Sequence, residues 1–201
     1  MASKTSESGI PAKRKAACLA LLRQAHVILD KEGSSPSALH ALKLKLVALA
    51  ARTELFPASE FPLPVNEGRL HTLIAEDNDG LALHLLNAKP GKMSNPHSHC
   101  VWCVNASVSG RERHVYWRRT DDGTKPGYAT ITPIGEVTME RGNGFAMADL
   151  DIHSQEVLGD EPSVILALYG YSFQRFPGVV WYNQEFNTVR KLPSMRGLSA
   201  A

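Results

Sequence analysis

From Arg69 onward the sequence is a series of short strand-like segments separated by turn signals. The turns fall at 76–80, 120–123 and 141–144, which are rich in Gly, Asn and Asp. Many short strands at this spacing indicate a sandwich or a barrel, so we expect a mainly β unit here. The predicted strands lie near residues 69–75, 81–87, 99–109, 112–118, 128–133, 136–140, 144–148, 155–158, 163–169 and 178–183.

Two helices are predicted ahead of the strands. Apolar residues recur near helical spacing over 12–31, and Ser35 followed by Pro36 is an N-cap with proline at the first helical position. The second helix should end near Thr53, because a proline-rich stretch follows at 55–64. Its apolar residues predict a strap that covers the next unit. The predicted organisation is a disordered tail at 1–11, a helical appendage and strap at 12–64, a barrel at 65–190 and a tail at 191–201.

Composition narrows the class of protein. The chain has 201 residues, 43% of them hydrophobic and 21% charged, as in an ordinary globular domain. Its net charge of +2 favours no nucleic-acid partner, and no apolar run reaches the about 18 residues of a membrane span. The N-terminus has no secretory h-region, and three cysteines do not make a disulfide scaffold. We expect a cytoplasmic, reduced protein that is a monomer or a homodimer, with neither a nucleic-acid nor a membrane partner.

The segment 90–103 contains the strongest chemical signal. It includes His97 and His99, which would share one strand face with Cys103 if a strand runs through this region. Two imidazoles on one face can bind the same metal, and imidazole is a common ligand of iron, zinc, copper and nickel. His153, after a glycine-rich turn, is the best candidate for a third ligand. The alternative is that these histidines are hydrogen-bonded structural residues of a barrel.

Other conspicuous residues are interpreted as structural. Cys100 and Cys103 are spaced as CxxC, but strand alternation would place their sulfurs on opposite faces. His84 and His114 lie on predicted strands without a partner motif, and Trp181 is interpreted as barrel packing.

The histidine segment resembles the first motif of the cupin superfamily, which is a glycine, five residues, His-x-His, a glutamate and a closing glycine. Gly91, His97, His99 and Gly110 match this motif, whereas the glutamate position falls on Cys103 or its neighbour. The resemblance covers roughly residues 46–190. It implies a cupin double-stranded β-helix, a jelly-roll barrel, here with two N-terminal helices.

Because the glutamate is missing, the segment looks like that of the three-histidine cupins of the cysteine dioxygenase type. In that family the third ligand maps onto His153, and the resemblance implies Fe(2+) on His97, His99 and His153. The family's cysteine that forms a thioether with a tyrosine maps onto Cys103, and that tyrosine maps onto Tyr169.

Two departures from the family concern its catalytic and substrate-binding residues. The serine and histidine that support the family's tyrosine are replaced by Ile165 and Ala167. The arginine that holds the substrate carboxylate falls near His71, with Arg69 two residues away. The resemblance therefore implies a catalytic role for Tyr169 and Cys103 and an anion-binding role for His71 or Arg69. The two departures leave the identity of the thiol substrate open.

Three neutral ligands leave the 2+ charge of a metal uncompensated, which favours an anionic chelating substrate such as a thiolate or an enolate. The expected function is that of a non-haem iron(II) dioxygenase that oxidises a small thiol to a sulfinate with O2. Two alternatives share the same ligands. One is a dioxygenase that cleaves a carbon–carbon bond in a β-diketone or another enolate. The other is a non-catalytic or zinc-bound cupin that serves as a small-molecule binding module.

Overall fold

A computed structural model describes residues 9–66, 68–77, 80–172, 175 and 178–192. Two helices, α1 (Ile10–Glu32) and α2 (Pro36–Ala50), are followed by two short 3₁₀ turns, Thr53–Leu55 and Ala58–Glu60. The strands are β1 (Arg69–Glu76), β2 (Ala82–Ala88), β3 (His97–Ser98), β4 (Cys103–Ser109), β5 (Arg111–Arg119), β6 (Ile131–Met139), β7 (Gly144–Met147), β8 (Ile152–Leu158), β9 (Ser163–Tyr169), β10 (Val179–Asn183) and β11 (Thr188–Leu192).

The strands form two antiparallel sheets whose inner faces enclose a lumen. One sheet has the order β1-β2-β9-β4-β7, and the other has the order β11-β10-β3-β8-β5-β6. Side chains of both sheets meet inside, as when Arg69 of β1 contacts Glu112 of β5. The predicted mainly β fold, a double-stranded β-helix with two N-terminal helices, is confirmed.

The helices cover the outer face of the five-stranded sheet. Buried residues of α1 and α2, including Leu22 and Leu42, pack in one cluster with Leu83, Val104 and Leu168 of the sheet. Because neighbouring strand residues alternate between faces, this packing turns the intervening residues of the same strands into the lumen. The helices therefore determine which side chains are available for a site.

Local signals account for the helix boundaries. The Ser35 hydroxyl accepts a hydrogen bond from the Ala38 amide at 3.2 Å, and Pro36 occupies the first turn. Gly33 ends α1 with a positive φ of 60° and donates its amide to the Leu29 carbonyl at 2.8 Å. Helix α1 begins two residues earlier than the 12–31 prediction.

The proline-rich segment lies against the five-stranded sheet. Leu55, Phe56 and Phe61 are buried in the cluster that also holds the helices. The buried Asn87 side chain of β2 donates to the carbonyls of Phe61 and Pro62 at 2.7 and 3.1 Å. Those two bonds satisfy backbone carbonyls of a segment that belongs to no strand and so has no ladder partner.

The largest correction concerns the strand predicted over 99–109. The chain instead forms β3 in the six-stranded sheet, crosses between the sheets at 99–102, and enters the five-stranded sheet as β4. Cys100 adopts a positive φ of 54° within this crossover, so strand alternation does not continue through it. The prediction that His97 and Cys103 share a face of one strand is therefore wrong.

Smaller differences occur towards the C-terminus. The two strands predicted at 128–133 and 136–140 are the single strand β6, whose pairing with β5 is irregular opposite Tyr116 and Trp117. Strand β11 includes residues that the sequence assigns to a tail. The remainder of that tail, 193–201, lies outside the described residues, as do residues 1–8 of the N-terminal tail. No helix in the described ranges is long and apolar enough to cross a membrane.

Candidate metal centre

Three histidines predicted as ligands meet in the lumen. His97 of β3 is the direct register partner of His153 on β8, so these two side chains point to the same side of the six-stranded sheet. His99 follows β3 in the crossover and turns into the same space. One ring nitrogen from each of His97, His99 and His153 lies within 4.8 Å of the others.

His97 and His99 already have the spacing of two ligands on one ion. Their Nε2 atoms are 3.1 Å apart, and nitrogens about 2.0–2.1 Å from a shared metal lie at nearly this separation. His97 is oriented by its Nδ1, which donates to the Asn95 carbonyl at 2.9 Å. Its Nε2 therefore presents a lone pair towards His99. A cation bound by both nitrogens would stabilise this close contact.

His153, the third candidate ligand, also has the properties that metal binding requires. His153 is 2% exposed, and its Nε2 has no hydrogen-bond partner. A buried polar atom without a partner is costly unless a ligand satisfies it. Burial lowers the pKa of His97 to about 4 and holds those of His99 and His153 well below the usual value. All three imidazoles are therefore neutral at physiological pH, as metal ligation requires. The donor set fits a divalent metal that prefers nitrogen.

Cys103 and Tyr169 are direct register partners on β4 and β9, and both side chains are buried. The Cys103 Sγ lies 3.5 Å from His99 Nδ1 and accepts a hydrogen bond from the Asn105 amide group at 3.3 Å. The Tyr169 ring is 5.6 Å from the His99 ring. Burial raises the pKa of Cys103 to about 12 and raises that of Tyr169 further, so both groups carry their protons at neutral pH. The structure therefore brings this pair to the candidate centre by pairing two strands. Their covalent link stays a prediction.

Arg69 and His71 are on the same face of β1, opposite Ala88 and Leu86 of β2. The Arg69 Nη1 binds Glu112 at 2.8 Å, while its Nη2 is buried without a hydrogen-bond partner. His71 has an exposed side chain, yet desolvation and the charge of Arg69 lower its pKa to about 3. Because His71 shares a strand face with Arg69, whose side chain reaches Glu112 of the other sheet, the His71 side chain faces the lumen. Of Arg69 and His71, Arg69 is the residue that carries a permanent positive charge, and its Nη2 is still available as a hydrogen-bond donor.

The sequence led to a structural interpretation of Trp181 and His114, although both contact the histidines, and it did not single out Glu112. The Trp181 ring stacks on His97 with ring centroids 4.8 Å apart, and His114 lies parallel to His153. Glu112 is fully buried beside His114. One signal in the sequence pointed to this arrangement. Glu112 and His114 alternate with Arg111 and Arg113 on a predicted strand, so one of its two faces had to bury polar groups.

Comparison with known proteins identifies no family for this chain. No protein-family model matches the chain, and no curated protein matches it significantly. An uncharacterised conserved protein with a double-stranded β-helix domain from Klebsiella pneumoniae subsp. pneumoniae is 14% identical over 63% of this chain and 88% of its own, with a TM-score of 0.45.

Two solved enzyme structures are also similar. Oxalate oxidase in complex with the substrate analogue glycolate is 17% identical over 59% of this chain and 56% of its own, with a TM-score of 0.43. Hydroquinone 1,2-dioxygenase in complex with Cd2+ and 4-hydroxybenzonitrile is 15% identical over 48% of this chain and 61% of its own, with a TM-score of 0.38. The chain spans less than two thirds of both enzymes, and likeness at this level identifies neither a family nor an activity.

Proposed function

We propose that this protein is a non-haem iron(II)-dependent dioxygenase that oxidises a small anionic thiol to a sulfinate with O2. The observation that supports it most is the ligand set itself. His97 and His153 are buried, His99 is half-buried, and all three imidazoles are neutral. Among the residues that the structure describes, no carboxylate belongs to the group of possible ligands that they form.

The charge of this set favours an anionic substrate. Three neutral ligands leave the full 2+ charge of the ion in a buried lumen, where a thiolate would compensate it. When bound, iron(II) would supply binding positions for substrate and dioxygen and the electron transfer between them. The reaction balances without an external reductant. Both oxygen atoms of O2 become bonded to sulfur, and the four electrons that O2 accepts come from that sulfur.

The surrounding residues have roles that follow from their chemistry. Tyr169 keeps its proton because burial raises its pKa, so its phenol can donate a hydrogen bond to the substrate or to dioxygen. The unpartnered Arg69 Nη2 can donate to a substrate carboxylate. Leu86, Ile165 and Met147 are buried in one apolar cluster with Cys103 and Tyr169, so the surroundings of these two side chains are largely apolar.

The first test is metal analysis of protein purified without added metal, followed by oxygen-consumption assays with thiols and with β-diketones. We expect iron, oxygen uptake with thiols, and a sulfinate product detected by mass spectrometry. The variant His97→Ala should lose most of its metal, whereas His40→Ala on the exposed surface of α2 should keep it.

Three outcomes would contradict the proposal in different ways. Oxygen uptake with diketones alone would indicate a carbon–carbon bond-cleaving dioxygenase. Bound zinc with no oxygen uptake after iron loading would indicate a binding module. Full metal loading of His97→Ala would remove the three-histidine centre itself.

A further inference from the structure

A buried row of polar side chains runs from the candidate metal centre into the wall of the barrel. It begins at His153, whose Nδ1 lies 3.4 Å from Nδ1 of His114. The two rings are almost parallel, with an interplanar angle of 10°. His114 is 0% exposed, so water does not compete for this contact. The ligand therefore has a second histidine directly behind it.

The row ends at a carboxylate that is firmly held. Glu112 is 0% exposed, and its Oε1 accepts hydrogen bonds from Arg69 Nη1 at 2.8 Å and from the Ser163 hydroxyl. Burial alone would raise the pKa of Glu112, but Arg69 and His114 outweigh it and lower the pKa to about 2. The other oxygen, Oε2, is 3.2 Å from His114 Nε2. These two atoms are close but are not aligned as a hydrogen bond.

The negative charge at one end selects the proton positions along the row. An Nε2–H on His114 faces the carboxylate favourably, whereas a lone pair there would repel it. With the proton on Nε2, His114 Nδ1 carries a lone pair and accepts a hydrogen bond from the Nδ1–H of His153. The reverse arrangement would also leave His153 with a buried Nε2–H and no acceptor. Both ends of the row therefore favour the same tautomer of His153.

We propose that His114 and Glu112 are positioning residues that hold His153 in the Nδ1–H tautomer, with its Nε2 lone pair facing the metal centre. Outer hydrogen-bond partners of this kind orient a ligand and raise its basicity. The inference rests on the metal centre of the proposed function, but neither on the substrate nor on the reaction. Arg69 and Ser163 act one step further away, by holding the carboxylate.

The tautomer can be measured on the unaltered protein. Long-range nitrogen–proton NMR of metal-free protein with ¹⁵N-labelled histidine distinguishes Nδ1–H from Nε2–H rings, and the His153 signals are assigned by their loss in His153→Gln. We expect His153 as the Nδ1–H form and His114 as the Nε2–H form. An Nε2–H form of His153 would overturn the inference, even if the protein binds metal and oxidises thiols.

Variants at His114 measure the consequence for metal binding. His114→Phe keeps the ring shape but removes both nitrogens, whereas His114→Asn keeps an acceptor at the Nδ1 position. Phe145→Leu is the matched control. The Phe145 and His114 ring centroids are 4.3 Å apart, and the Phe145 side chain makes no hydrogen bond to the row. We expect His114→Phe to weaken Zn2+ and Co2+ binding by about 10–100-fold in chelator competition. His114→Asn and Phe145→Leu should stay within a few fold, and the Co2+ absorption spectrum should change only in His114→Phe.

Equal affinity of wild type and a folded His114→Phe would contradict the role in metal binding. Equal loss in His114→Phe and Phe145→Leu would show that packing around His114 is what matters. If His114→Phe does not fold, the NMR measurement on wild type still decides. Failure of the proposed function is distinguishable from failure of this inference. A protein that takes up no oxygen would still show the same tautomer of His153 and the same Zn2+ affinities.

Discussion

One residue at the candidate centre, Arg69, combines two functions that are usually separate. Arg69 holds Glu112 with one guanidinium nitrogen and leaves the other nitrogen buried without a hydrogen-bond partner. Arginine is suited to this because its planar fork presents several donors in fixed directions. One residue can thus support the wall of the site and still offer a contact to an anion in the lumen.

Conservative replacement of Arg69 separates these functions. Arg69→Lys keeps a positive charge near Glu112 but removes the second donor. We expect it to raise KM for a carboxylate-bearing thiol by about tenfold or more, since a charge-assisted hydrogen bond is lost, with little effect on a thiol that ends in a hydroxyl. Steady-state oxygen consumption with the two thiols measures this. His71→Leu is the comparison: a larger effect there than in Arg69→Lys would assign the anion contact to His71, and equal effects on both thiols would remove it from both residues.

Cys103 and Tyr169 are the residues for which a covalent bond is predicted. They are direct partners across β4 and β9, which places their Cβ atoms about 4.5–5.5 Å apart. A thioether between them would fix the phenol at less entropic cost than a free side chain. We expect intact-protein mass spectrometry after aerobic turnover to show a loss of two hydrogens that disappears in Cys103→Ser. An unchanged mass in iron-loaded, active protein would show that the pair is adjacent but not bonded.

At the scale of elements, the crossover at 99–102 places His97 and Cys103 in different sheets. It carries the chain from β3 to β4, and Cys100 within it has a positive φ of 54°. Left-handed backbone costs an ordinary residue about 1–2 kcal/mol and is worst for β-branched side chains. The geometry of the candidate centre thus depends on a strained position next to His99.

The crossover predicts a distinct response to substitution at Cys100. Cys100→Val should lower the free energy of unfolding by about 1–2 kcal/mol and weaken metal loading, because a β-branched residue resists the left-handed conformation. Cys100→Ser is the matched control, with a side chain of similar size, and should stay near wild type. Urea unfolding and metal analysis test both variants. A Val variant as stable as the Ser variant would show that the crossover does not require this conformation.

At the scale of the whole molecule, the barrel buries histidines that would be charged in an acidic unfolded chain. His84 is 4% exposed, and burial lowers its pKa from 6.5 to about 4. Between these two values the unfolded chain binds a proton that the folded protein does not. Falling pH therefore favours the unfolded chain, and stability that is complete above about pH 6.5 is lost progressively towards about pH 4.

The pH dependence of stability can be measured on metal-free protein. Its free energy of unfolding in urea should fall as pH decreases from about 6.5 to about 4, and His84 should contribute up to about 1.4 kcal/mol per pH unit. His84→Gln should flatten the dependence by this amount, whereas His40→Gln, at an exposed position of α2, should leave the slope unchanged. An identical slope in wild type and His84→Gln would contradict the prediction.

The sequence by itself determined the features that depend on neighbouring residues. Ser35, Pro36 and Gly33 act within one helical turn, so the end of α1 and the start of α2 were predicted to within one residue. The start of α1 and the end of α2 lie two and three residues from their predicted positions. Alternating apolar residues and Gly-rich turns likewise act over a few positions, which is why most strands and the β fold were predictable. His97, His99 and His153 could be singled out because their spacing resembles a known motif.

Only the tertiary structure decided the arrangements that join distant parts of the chain. The contact of His114 with His153 spans 39 positions, and that of Ser163 with Glu112 spans 51. Such contacts depend on which strands pair and in what register, and strand alternation can only say which residues share a face. The same reason explains the error over 99–109. Local propensity there favours one extended strand, but the chain must leave one sheet and enter the other so that His97 can pair with His153 and Cys103 with Tyr169.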